Sequence, residues 1–385
     1  MVEGVVRPSP PRRRVLRPGK LPPRLLERLL VLRGAPDRRV LVGPRCGEDA
    51  AVVALGRLRL VLKSDPVTFT GTGIGWYAVQ VNANDLAVTG ARPCWFQPTI
   101  LVPPGTPAAR VTAIGRDIDR ACRALGIAVT GGHTEVTDAV TRPIVAGDMQ
   151  GLLVGSRIVG SSGARPGDLV LMTKAAGVEG TAILATERRH DLARRVPAAV
   201  LRRARAFLRR PGISVVGEAL AGARLGVSAM HDPTEGGVRA ALHEMAYASG
   251  RRFAIDLDRV PVRPETARLC AHFGIDPLGL IGSGALLATV APARAPRLLR
   301  AWRRHGVDAV VIGRVERGRG VRAWRGGRPV PLPWIAQDEI VAALLRRSPA
   351  PGIPAISRRR PEKPAGGPPP PLPGARRGTR VAPRA

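Results

Sequence analysis

Hydrophobic and polar positions along the chain fall into alternating helical and extended patterns. Leu25, Leu26, Leu29, Leu30 and Leu32 follow Pro22-Pro23 at helical spacing, and the prolines suit a first helical turn. Short apolar runs at 39–42, 50–55 and 58–63, each bounded by glycine or a charge, read as strands. Ala78, Val79, Ala83, Leu86 and Ala87 predict a helix over 76–89 that ends at Gly90. A strand at 94–102 and an amphipathic helix at 106–125 follow, with Gly126 as the stop. Strands at 127–130 and 144–153 complete a first α+β unit.

Near Gly155 the chain turns to Gly, Ser and Pro, and Arg165-Pro166-Gly167-Asp168 reads as a turn. A second unit begins there, with a strand at 169–174, a helix at 179–187 and helices over 195–209 and 213–224. A strand at 227–230, a helix at 235–249, strands at 253–257 and 283–290, a helix at 295–304 and a strand at 308–313 complete it. The expected organisation is a basic disordered tail over 1–20, an N-terminal domain over 21–155, a C-terminal domain over 165–347, and a Pro/Arg-rich disordered tail over 348–385.

Composition adds limits. A chain of 385 residues with 44% hydrophobic content suits two domains of about 150 residues each. No apolar run reaches the ~18 residues of a membrane span, and Arg12-Arg13-Arg14 has no hydrophobic region behind it, so neither a membrane segment nor secretion is expected. Four cysteines, Cys46, Cys94, Cys122 and Cys270, lie 48, 28 and 148 residues apart. That spacing excludes a CxxC knuckle and suits free thiols in a cytoplasmic protein.

The net charge of +32 comes from 61 basic residues, of which only four are Lys. The two tails carry +12 of it, and Arg194 to Arg210 holds seven Arg and no acid. Aromatics make up 3%, too few for base-stacking platforms, so a solvated Arg-rich surface is expected and nucleic-acid binding is a minority reading.

With acids scarce, the places where they collect are informative. Asp49, Asp65 and Asp85 sit beside small residues at strand or helix junctions, in Gly47-Glu48-Asp49-Ala50-Ala51-Val52, Ser64-Asp65 and Asn82-Ala83-Asn84-Asp85-Leu86-Ala87. Carboxylates from separate short segments are what magnesium takes while leaving room for water and phosphate. The competing reading has Asp49 and Asp65 capping turns and Asp85 on a wet helix face. Val81, Leu86 and Ala87 weigh against it for Asp85, since an unpaired carboxylate on a buried helix is costly.

Thr130-Gly131-Gly132-His133-Thr134 leaves a strand through two glycines, opening backbone N–H groups to an anion; His133 has no second histidine at metal spacing, so no zinc site is expected. Gly177 to Gly180 opens a helix after strand 169–174, a candidate phosphate seat without the Gly-Lys-Ser/Thr of a Walker loop. His231-Asp232-Pro233-Thr234-Glu235-Gly236-Gly237 precedes an amphipathic helix, where Asp232 is a binding candidate or, with Thr234, an N-cap.

Taken in order, these motifs, together with Ala83-Asn84-Asp85 to Pro93 and Pro166-Gly167-Asp168 to Gly180, resemble the aminoimidazole ribonucleotide (AIR) synthetase superfamily, and within it the HypE-like AIR-synthase-related proteins. The resemblance covers about residues 20–320. It implies an α+β, two-domain AIR synthetase-like fold and a homodimer whose N-terminal sheets form a barrel. ATP and Mg2+ would lie in the cleft between the domains.

By motif, Asp49, Asp65 and Asp85 would hold the metal, with Asn84, Gly131, Gly132, His133, Thr134, Gly177, Gly180 and Asp232 around the nucleotide. The implied activity is ATP-dependent phosphoryl transfer to a small-molecule substrate in a hydrogenase-maturation setting, with a maturation-factor partner. A kinase like thiamine-monophosphate kinase and a non-catalytic nucleotide-binding accessory protein are the alternatives. Two departures stand out. The family's substrate-carrying C-terminal cysteine has no counterpart in Val381-Ala382-Pro383-Arg384-Ala385, and Glu135 and His133 stand where the family has Lys and Asp. Cys46 reads as a packed thiol.

Overall fold

A computed structural model describes residue 16, residues 19–335 and residues 337–345. Apart from Leu16, Gly19 and Lys20, the two expected tails lie outside the described residues.

The first half is built on a seven-stranded sheet: β1 (Val40–Val42), β2 (Ala51–Leu55), β3 (Leu58–Val67), β4 (Ala91–Val102), β5 (Ala128–Val129), β6 (His133–Val136) and β7 (Ile144–Leu153). The order is β1-β2-β3-β7-β4-β5, with β6 also pairing β4. Helix α1 (Pro23–Leu30) precedes the sheet, and α2 (Ile74–Val88) and α3 (Ala108–Leu125) pack on each other. α2 also rests on β3, β4 and β7. Apart from Trp76, every residue of α2 is buried, as a helix apolar on nearly all sides must be. Its fully buried Ile74 and Leu86 each contribute about 1.5–3 kcal/mol of burial. α3 ends where the sequence puts its stop, at Gly126 with φ 67°.

The second half repeats the plan with β8 (Leu169–Thr173), β9 (Ala229–His231), β10 (Arg252–Asp256), β11 (Leu287–Val290), β12 (Ala309–Glu316), β13 (Gly320–Arg325) and β14 (Arg328–Val330). Their order is β14-β13-β10-β12-β8-β11-β9. The helices are α4 (Val178–Glu187), α5 (Arg189–Ala193), α6 (Ala198–Ala206), α7 (Val216–Leu225), α8 (Gly237–Ser249), α9 (Pro264–Phe273), α10 (Ala295–Arg304) and α11 (Glu339–Leu345). α2 of the first half touches α7 and β9 of the second, so the acid-bearing helix lies along the join.

Several elements differ from expectation. The Gly131-Gly132 turn leads directly into β6, which pairs in parallel with Thr99–Val102 of β4. The helix expected over 195–209 starts only at Ala198, because extended Pro197 caps it. α5, α9, β13, β14 and α11 have no counterpart among the expected elements. α9 carries its own signals, with Pro264 in the first turn, Gly274 as C-cap, and Thr266, Leu269, Cys270 and Phe273 buried at helical spacing.

A candidate metal and nucleotide cleft

Each half sends acidic side chains into one cleft of about 1600 Å³. Asp49 comes from the loop before β2, Lys63 and Asp65 share one face of β3 two residues apart, and Asp85 projects from buried α2. From the second half come His231 at the end of β9 and Glu244 on α8, while Asp232, immediately after β9, is buried behind the cleft wall beside Asp49 and Asp85.

Carboxylate oxygens of Asp49, Asp85 and Asp232 all lie within 4.8 Å of one another. Asp232 is 1% exposed, and neither of its carboxylate oxygens has a hydrogen-bond partner among the described residues. Burial, and next the charge of Asp49, pushes Asp232 up to about 7. Burial likewise raises Asp85 well above the usual carboxylate range, against the pull of Lys63, whose ammonium is 3.0 Å from Asp85 Oδ2. Three carboxylates this close, two of them buried and Asp49 half-buried, repel one another in a poorly screened setting, which a cation relieves. Hard oxygen donors and an orphaned buried carboxylate fit Mg2+.

A hydrogen-bonded chain braces one side of the trio. His231 Nδ1 lies 2.9 Å from Asp49 Oδ2, and its Nε2 lies 3.0 Å from Glu244 Oε2. With a carboxylate at each nitrogen both ring nitrogens donate, which makes the ring an imidazolium. Burial opposes that charge, but Asp49 and Glu244 outweigh it and hold His231 well above its ordinary value. Lys20 Nζ adds a contact of 2.8 Å to Glu244 Oε1. Burial would raise Glu244, but His231 and Lys20 bring it down to about 2. The Ser161 hydroxyl, 3.1 Å from His231 Nδ1 and 3.4 Å from Asp49 Oδ2, closes the group.

The other expected site residues are placed differently. Asp65 lines the cleft but falls outside the close trio, its Oδ2 3.6 Å from Lys63 Nζ, and Asp232 completes the trio instead. Asn84 turns away from the cleft. Its Nδ2 donates to Ile213 O and its Oδ1 accepts from Val215 N–H, both at 2.8 Å, so the amide is used up in tying α2 to the 213–215 segment. Gly131, Gly132, His133 and Thr134 are exposed on the sheet edge and do not line this cleft, because pairing with β4 carries them outward.

The Gly177–Gly180 turn is closed to an anion. Gly180 N–H donates to Ile281 O at 2.9 Å, and a Cβ at Gly177 would meet Leu280 and Thr266. These glycines serve close packing. Glu179 between them lines the cleft instead, 3% exposed, with Oε2 accepting from Ser283 N–H at 3.2 Å. Cys46 also lines the cleft and is half-buried rather than packed away.

Sequence reasoning passed over Lys63, Glu179, Glu244 and Lys20. Lys63 had a signal, as one of four lysines, two residues before Asp65 on a strand. Glu244 and Lys20 are joined only by the fold.

Two family descriptions match this chain: AIR synthase related protein, N-terminal domain, over residues 47–153, and AIR synthase related protein, C-terminal domain, over residues 165–325. Carbamoyl dehydratase HypE of Cupriavidus necator is 30% identical over 324 residues, covering 77% of this chain and 85% of that protein. The crystal structure of a HypE–HypF complex superimposes with a TM-score of 0.64 at 26% identity, covering 75% of this chain and 94% of the other. The hydrogenase maturation protein HypE in complex with ATP gives a TM-score of 0.64 at 24% identity over 76% of this chain and 90% of that one, a likeness of fold. No described helix is long and apolar enough to cross a membrane.

Proposed function

This chain belongs to the AIR synthase related protein family, and we propose that it is an ATP- and Mg2+-dependent phosphoryl-transfer enzyme of the HypE-like branch. One observation carries the reading: three carboxylates converge within 4.8 Å, and the most buried of them, Asp232, has no hydrogen-bond partner on either oxygen among the described residues. Asp49, Asp85 and Asp232 would hold the ion, which when bound neutralises charge on a polyphosphate and on the transferring phosphoryl group. The same fold holds ATP in the HypE complex described above.

The chain's own residues do the remaining work. His231, fixed between Asp49 and Glu244, orients the Asp49 carboxylate toward the trio. Lys63 places a positive charge beside Asp85 at the cleft wall, where an anionic substrate meets it. Glu179, pushed up to about 7 by burial, holds a proton on the cleft surface near neutrality, suited to exchange with an acceptor. Poorly solvated walls strengthen each of these interactions.

The first sheet supports a homodimer. Val40, Leu41, Leu55, Leu58, Val129 and Val136 are exposed apolar residues on its strands, the kind of surface a second copy covers. The HypE–HypF complex supports a maturation-factor partner, and four free cysteines suit the cytoplasm. Phosphate release from ATP by the purified chain, with Mg2+ and then with EDTA, tests the activity. Metal-dependent release supports the reading, and release unaffected by EDTA contradicts it.

A further inference from the structure

Lys63 is placed as no simple metal-ligand set requires. Its ammonium lies 3.0 Å from Asp85 Oδ2 and 3.6 Å from Asp65 Oδ2, inside the group of acids that lines the cleft. It is only 22% exposed, and it projects from β3 beside Asp85 of the trio. Clusters of four carboxylates, here Asp49, Asp65, Asp85 and Asp232, have the charge to hold two divalent ions about 3.5–4 Å apart with a carboxylate bridging them. In this chain the bridge would have to be Asp85, which links Asp65 to the trio, and its Oδ2 is already engaged by Lys63. The nearby cationic side chains His231 and Lys20 are committed elsewhere, His231 to Asp49 and Glu244 and Lys20 to Glu244, and cannot take that place.

We propose that the Lys63 ammonium is a built-in cation, filling the Asp65–Asp85 position so that this site takes one divalent ion, at Asp49, Asp85 and Asp232, where the carboxylate count would allow two. The proposal rests on the metal reading given above and adds a stoichiometry to it. A fixed ammonium supplies charge without demanding octahedral coordination, and facing the cleft it meets a phosphate oxygen as a point charge. Asp232, 1% exposed and without a hydrogen-bond partner on either oxygen among the described residues, independently marks where the single ion sits.

The test uses the full chain and Mn2+ alone, with bound metal counted by equilibrium dialysis and its environment read by electron paramagnetic resonance. The wild type is expected to bind one Mn2+ per chain with the spectrum of an isolated ion. Lys63→Met is expected to bind a second ion and show the exchange-coupled spectrum of a close pair. Lys63→Arg, which keeps the charge, is expected to stay at one.

Two coupled ions in the wild type would overturn the proposal without touching the metal reading. A Lys63→Met chain that still binds one ion at wild-type affinity would do the same. If the Met variant does not fold, the wild-type count and spectrum decide alone. A wild type that binds no Mn2+ would remove the metal reading and the proposal with it.

Discussion

Glu179 is a buried carboxylic acid whose cost in ionised form can be read as stability. It is 3% exposed on α4, one oxygen accepts from Ser283 N–H, and burial pushes it from 4.5 up to about 7. Because its folded value lies above its unfolded one, the native state binds the proton more tightly between about pH 4.5 and 7. The contribution of Glu179 to stability is therefore fully present at acid pH and is lost as pH rises through that window. A displacement from 4.5 to about 7, at 1.36 kcal/mol per pH unit, is worth about 3 kcal/mol.

Glu179→Gln replaces the group with a neutral one of the same shape that still accepts from Ser283. Urea unfolding of both chains in EDTA should give a stability difference that shifts in favour of the variant by about 3 kcal/mol from pH 4.5 to 8. Burial also raises Asp85, Asp232 and Asp338, which both chains carry, and the charges of Asp338 and Asp232 push Glu179 in the same direction as its burial. A difference that is flat across the window, or that moves in favour of the wild type as pH rises, would refute the reasoning.

Asn84→Ala strands the carbonyl of Ile213 and the N–H of Val215 in a buried join, so denaturant melts should show a loss of about 2–5 kcal/mol. Thiolate chemistry is disfavoured at Cys46, Cys122 and Cys270. Burial pushes the Cys122 and Cys270 thiols up to about 11 and about 12, and burial with Glu27 and Glu244 raises Cys46 in the cleft. Incubation with a carbamoyl donor and ATP should accordingly leave no carbamoyl or cyano increment on Cys46, Cys122 or Cys270 by mass spectrometry of the intact chain and its peptides. An increment lost on Cys46→Ala would contradict this.

Much of the fold can be read in the chain, because caps and periodicity are local. Gly126 ends α3 and the apolar faces of α2 and α8 set those helices. Asp49 and Asp85 stand out in a chain poor in acids, each beside small residues that let backbone segments approach, and Asp232 stands out through its His231-Asp232-Pro233-Thr234-Glu235-Gly236-Gly237 loop. What local pattern cannot carry is pairing at a distance. Asn84 reads as a ligand until its partners, 129 and 131 residues away, are known to use both ends of its amide. His133 and Thr134 look like an open anion loop because nothing nearby in the sequence shows that β4 takes them into a sheet edge. Gly177 and Gly180 are conspicuous for the wrong reason: Leu280 and Ile281 crowd them, and the side chain they deliver to the cleft is Glu179.

The most direct test of the central claim is a calorimetric titration of a non-hydrolysable ATP analogue into the wild type and into Asp232→Asn, each with Mg2+ and with EDTA. Asparagine keeps the size of the side chain and removes the charge, and circular dichroism checks that the fold survives. The wild type should bind the analogue with Mg2+ and lose most of that affinity in EDTA. Asp232→Asn should weaken Mg2+-dependent binding at least about ten-fold, or about 1.4 kcal/mol, with Asp85→Asn behaving alike. Unchanged affinity and unchanged metal dependence in a folded Asp232→Asn chain would contradict the assignment of Asp49, Asp85 and Asp232 as the metal and nucleotide site.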